Sequence, residues 1–157
     1  MTIPGSCSGA PVVVAAFLVV VFGSTSASLA AQFGSPVPKT CPSTSVVAST
    51  LKQKVSKVSS TLSSSSTGSK RTCTYTTSFV VPTKITFGSP VTAAAFAGSQ
   101  KAASKGVPVV TVHGLGDAAW AVKAGNGLAV LKGTLDIVIS APQTTDAELE
   151  ALARKIL

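Results

Sequence analysis

The chain has 157 residues, with 13 Lys or Arg against 5 Asp or Glu and a formal net charge of +8. Without an N-terminal leader it has the size of one ordinary domain, long enough to bury a core. One His, three Cys, one Trp, one Tyr and six Phe supply too little for a closed zinc site or for interleaved aromatic platforms that stack bases and sugars. Neither a metal domain nor a nucleic-acid binder is expected, and no cofactor.

Residues 12–22 (VVVAAFLVVVF) form an apolar run that suits a signal-peptide core and falls short of the roughly 20 residues a membrane-spanning helix needs. Small residues follow, among them Ser28 and Ala30, which fit the narrow subsites of a signal peptidase. A signal peptide is therefore expected over residues 1–31, with cleavage after Ala30 or Ala31. Its first part has no Lys or Arg, so the terminal amine is its only positive charge. The alternative is an uncleaved anchor extended through Ala31. Cleavage removes Cys7 and leaves Cys41 and Cys73, which in an oxidising compartment most simply pair with each other. Closing that loop of about 33 residues is worth roughly 3–4 kcal/mol by chain entropy. Cys7 precedes the apolar run and Cys41 follows Pro-Lys-Thr, so neither sits in a lipid-attachment motif. Free secretion or cell-wall association is expected.

Residues 32–42 (QFGSPVPKTCP) read as a linker, and residues 43–157 as a single domain. Ser43 or Thr44 caps a helix. Val47, Leu51, Val55, Val58 and Leu62 recur at helical spacing and line one face, with Lys52, Lys54 and Lys57 pointing elsewhere. Residues 63–69 are a low-complexity turn. Residues 70–81 (KRTCTYTTSFVV) alternate as a half-buried strand does, with Cys73, Tyr75 and, after a slip, Phe79 inward. Pro82 interrupts it, and residues 84–87 form an edge continuation or a second strand. From Pro90 an Ala-rich helix is expected, with Val91, Ala95 and Ala102 inward and Gly106 as its C-cap. Residues 107–113, 118–124, 128–131 and 135–139 read as four successive strands, with Gly125-Asn126-Gly127 and Lys132-Gly133 as turns. Thr144 or Thr145 then caps a last helix, with Asp146 and Glu148 in its first turn and Arg154 and Lys155 in its last, as the helix dipole favours. The order α-β-α-β-β-β-β-α predicts an α+β domain, an antiparallel meander sheet with helices packed on it and one disulfide.

The Gly114-Leu115-Gly116-Asp117-Ala118-Ala119 segment mimics a dinucleotide fingerprint, with Asp136 about twenty residues on. Context rejects this, because Gly125 and Gly127 arrive too soon for a crossover helix and Asp136 opens a strand. Gly114, Gly116 and Asp117 are read instead as a structural turn, Asp117 bonding local backbone amides. His113 beside it suggests a His–Asp pair for a serine hydrolase, yet no G-x-S-x-G elbow exists and acid and base share one turn. Of the five acids, Asp146, Glu148 and Glu150 belong to the last helix, so no glycosidase pair is expected. The protein is not expected to be an enzyme.

The charge is uneven. Residues 32–116 hold nine Lys or Arg and no acid, whereas residues 117–157 hold four against all five acids. Such a bias suits a polyanion, which outside a cell means a wall polymer, an anionic glycan or a lipid headgroup. Lys52, Lys54, Lys57, Lys70 and Arg71 are the candidate residues; the plainer reading is a merely solubilising surface. The competing functional expectation is a carrier of a small hydrophobic ligand or peptide, with a pocket lined by Phe96, Trp120 and Leu135.

Cys41, an amphipathic helix, Cys73-Thr74-Tyr75, the V-x-G-L-G-D-A-A turn of residues 112–119, a strand pair and a final helix ending in LARKIL together resemble a family of small exported actinobacterial domains of unknown function, many of them lipoproteins. The resemblance runs over most of the mature chain, and G-L-G-D-A-A is its most specific part. It implies a Cys41–Cys73 disulfide, a cell-envelope address and an α+β fold, and no activity. The chain departs from the common form of that family in lacking a lipid-attachment cysteine.

Overall fold

The structure, a computed structural model, describes residues 36–123 and 127–157. The signal-peptide reading and the Gly125-Asn126 turn lie outside the described residues. Among these, the elements run α1 (Thr44–Leu51), β1 (Val55–Ser65), β2 (Gly68–Thr77), β3 (Thr83–Ser89), α2 (Ala93–Ala103), β4 (Val109–Thr111), β5 (Ala118–Val122), β6 (Gly127–Lys132), β7 (Leu135–Ser140) and α3 (Asp146–Ile156). The strands pair antiparallel in one seven-stranded sheet, in the order β1-β2-β3-β7-β6-β5-β4. This is the expected α+β architecture, its first β-region being a three-stranded meander. A second meander, β4 to β7, joins it where β3 pairs with β7, and α2 carries the chain between the two.

The first helix is shorter than its periodicity predicted. It ends at Leu51, where Lys52 takes a left-handed φ of 51°, and the second half of the expected helix is the strand β1. The misreading has a geometric cause. A bulge between Val55 and Lys57 adds one residue to β1, so Val55 opposite Thr77 and Val58 opposite Tyr75 fall on the same sheet face. A strand with such a bulge reproduces the three-residue apolar step of a helix, and Val58 to Leu62 share a face in either structure. Val, Thr and repeated Ser then favour the strand. Accordingly, residues 63–69 are the hairpin of β1 and β2, with Ser65 paired to Gly68.

One face of the sheet is sealed by α1 and α3. Cys73, Tyr75, Ile85, Phe87, Leu128, Val130, Ile137 and Ile139 meet Val47, Leu51, Leu149 and Leu152 in a single core. The Cys41–Cys73 disulfide, with a Cα–Cα distance of 5.8 Å, staples residues 36–42 to that face. Arg71 Nε donates to Pro38 O (2.7 Å) and the Tyr75 hydroxyl to Pro42 O (2.8 Å). The last stretch read as linker is thus tied to the domain.

Two helix ends behave as read. Ser43 caps α1, and Thr145 caps α3 with a capping box completed by Glu148. The second helix differs. It ends at Ser104, and it buries Phe96 while Ala95 and Ala102 stay exposed. Contact comes from one ring in place of an alanine stripe: Phe96 packs with Trp120, Ala129, Leu131 and Val91 on the second face of the sheet.

Candidate functional site

Alternation along a strand decides what each face carries. In β2, Arg71, Cys73 and Tyr75 turn to the helix-covered face, which leaves Lys70, Thr72, Thr74 and Thr76 on the other. The registers of β1, β3 and β7 extend that second face into rows. Ser59, Thr74, Lys84 and Ser140 lie side by side, then Thr61, Thr72, Thr86 and Val138, then Ser63, Lys70, Gly88 and Asp136. Lys57, opposite Thr76, stands at the margin. Among the described residues α2 reaches only the β5–β6 part of this face, and Val138, on a strand with neighbours on both sides, remains 37% exposed. The result is an open field of hydroxyls holding Lys57, Lys70 and Lys84. The Thr72 and Thr86 hydroxyls approach to 3.5 Å.

The sequence-derived cations part company on this frame. Lys57 and Lys70 share the open face, and Lys84, missed in the sequence, joins them. Lys54 lies in the α1–β1 connection beside the same end of the sheet. Lys52 is engaged by Glu148 at 3.3 Å. Arg71 is on the covered face, where Nη1 donates to Ser60 Oγ (2.6 Å) while Nε holds Pro38. Nothing in the amino-acid string flags Lys84 alone; it joins the group only once β3 is registered against β2.

The acids are mostly occupied elsewhere. Lys132 pairs with Asp117 at 3.7 Å and Arg154 with Glu150 at 3.9 Å. Glu148 is held below the usual carboxylate range by the Thr145 backbone hydrogen bond and by Lys52. Asp136 is the acid in the open-face rows. Burial raises its pKa, and the nearby Lys70 opposes that shift. Beyond Lys70 the face runs into a cleft of about 290 Å³ at the hairpin tip, lined by Ser63, Ser65, Ser69, Lys70 and Val91 among others.

Residues 114–117 form a tight bend between β4 and β5. Gly114 and Gly116 have φ of 70° and 62°, and a Cβ on Gly116 would collide with Leu131 O. Leu115 is buried, and Arg154 donates to Gly114 O at 2.9 Å. The Asp117 carboxylate accepts from Gly133 N, tying this turn to the β6–β7 turn. His113 is exposed, and no cluster of metal-binding side chains forms among the described residues.

The pocket expected of a hydrophobic-ligand carrier does not form from the residues named for it. Phe96 and Trp120 pack on the second face, whereas Leu135 packs against the core of the helix-covered one. Its alternation with Ile137 and Ile139 puts it there. No described helix is long and apolar enough to cross a membrane. No protein-family model, curated protein or solved structure matches the chain.

Proposed function

We propose that the protein is a secreted, non-catalytic binding module of the cell envelope that holds an anionic wall polymer on the open face of its sheet. The observation that carries this reading is the joint placement of Lys57, Lys70 and Lys84 among Ser and Thr hydroxyls on a face left uncovered by α1 and α3. Lysines supply charge to phosphate or carboxylate groups, and hydroxyls both donate to those groups and accept from polymer hydroxyls. Rows about 4.8 Å apart across strands and about 6.8 Å apart along them repeat the same chemistry. A repeating polymer then engages several weak contacts at once. The leader expected over residues 1–31 and the resemblance to exported domains support the same address.

The test is retention of the protein on immobilised polyphosphate and heparin across a salt gradient. Wild type is expected to be held at low ionic strength and released by salt. Combined Lys57→Ala, Lys70→Ala and Lys84→Ala elutes early, while Lys101→Ala, Lys105→Ala and Lys123→Ala together, which remove the same number of positive charges away from this face, cost little. A wild type that passes straight through at low salt ends the proposal.

A further inference from the structure

The β2–β3 connection, residues 78–82 (SFVVP), is built unlike any other exposed segment described here. Val80 is fully exposed at 102% and Val81 is 57% exposed. Phe79, expected inside a strand, is instead a partly exposed loop residue whose backbone N–H bonds the Thr77 hydroxyl (3.3 Å). Three large apolar side chains in succession on a protruding turn are costly in water and gain nothing from the core.

The base of this loop is basic. Lys57 faces Thr76, one residue before the loop leaves β2, and Lys84, which faces Thr74, is the second residue of β3 after the loop. Lys54 immediately precedes Val55, which is opposite Thr77. All three are exposed, and none is in an ion pair among the described residues. Asp146 and Glu148 open α3 on the other face, where Glu148 is engaged by Thr145 and Lys52. An apolar tip inside a collar of cations is complementary to one surface chemistry, an acyl layer beneath negative headgroups. A protein partner would need a shaped pocket for Val80, whereas a bilayer accepts an unstructured apolar tip.

We infer that residues 79–81 insert into the interface of an anionic lipid bilayer while Lys54, Lys57 and Lys84 contact its headgroups. This surface is carried by the loop and does not rest on polymer binding at the open face. Two features separate them: Lys70 belongs to the open face alone, and Val80 and Val81 to the loop alone.

The experiment is co-sedimentation of the full chain with vesicles of phosphatidylcholine containing phosphatidylglycerol, against vesicles of phosphatidylcholine alone. Wild type is expected to sediment with the anionic vesicles and to be weakened by salt. Val80→Ser with Val81→Ser, which removes the apolar tip without adding charge, lowers partitioning by about tenfold and leaves polyphosphate retention intact; thermal melting confirms the fold, since both side chains are outside the core. Val107→Ser, at an exposed apolar site elsewhere, leaves partitioning as in wild type. Lys54→Ala with Lys57→Ala and Lys84→Ala removes the preference for anionic vesicles. Equal sedimentation of wild type and the Val80→Ser, Val81→Ser variant overturns the inference, because any binding then comes from another part of the chain. So does absence of wild type from the anionic pellet.

Discussion

The two faces of the sheet share every strand and every ladder hydrogen bond, yet they are finished in opposite ways. On one, Tyr75, Ile85, Phe87, Ile137 and Ile139 are closed under α1 and α3 and stapled by the disulfide. On the other, the intervening residues of the same strands are mostly Thr, Ser and Lys, with Gly88 and Asp136 in one row, and a central Val138 stays in contact with water. Threonine makes this possible. Its β-branch suits the extended backbone, and its hydroxyl keeps the surface wetted, so half of a sheet stays bare without a lost strand or a sticky apolar patch. Across β2, β3 and β7 the buried apolar side chains lie on one side, and the other is left available for contact.

The sharpest way to break this contrast is to cut neighbouring residues of one strand. Ile139→Ala, on the sealed side, is expected to cost about 3 kcal/mol, within the usual 2–5 for a buried aliphatic, whereas Val138→Ala costs less than about 1 kcal/mol. Urea unfolding of both variants measures the difference, and equal losses would mean that the second face is covered. A smaller effect belongs to Tyr75, whose phenol is pushed up from 10.0 to about 12 by burial. The unfolded chain ionises first, so the contribution is intact below pH 10 and is lost as pH rises toward 12, by roughly 2–3 kcal/mol. Stability followed across that window should fall less steeply in Tyr75→Phe. The smallest change is Asp136→Asn. Because burial raises the pKa of this carboxyl, its ionised form is the disfavoured one in the fold. The variant should melt higher at neutral pH, with the advantage shrinking in acid as the wild-type carboxyl takes up its proton.

What the sequence discloses about these faces is set by range. Features settled within a few residues were legible: the Ser43 and Thr145 caps, the strands flanking Gly133, and the role of Gly114 and Gly116 in a turn. The alternation of residues 70–77 already divides β2 into an apolar and a hydroxyl side. Which lysines share a face was not legible, since Lys84 meets Thr74 only through strand registration and Arg71 falls opposite Lys70 by a single residue. The helix extended through Leu62 failed for a related reason. A bulge is invisible without its partner strand, and it lent β1 the spacing of a helix. Residues 79–81 were misplaced because Phe-Val-Val reads as strand core, while Pro82 and the start of β3 at Thr83 leave them in a turn.

The stapled segment ahead of α1 also sets how the domain bears load. Tension arriving along the backbone from the N-terminal side meets Cys41 before it meets any helix, and the Cys41–Cys73 bond passes it to the middle of β2. That strand is held by ladders to β1 and β3 on either flank, so the pull is shared in shear across two rows of hydrogen bonds, with Arg71 and Tyr75 as lateral ties. The fold therefore resists being peeled from its leading end as long as the covalent staple is closed. Reduction would shift the point of attack to the short helix α1, whose eight residues can come away one turn at a time.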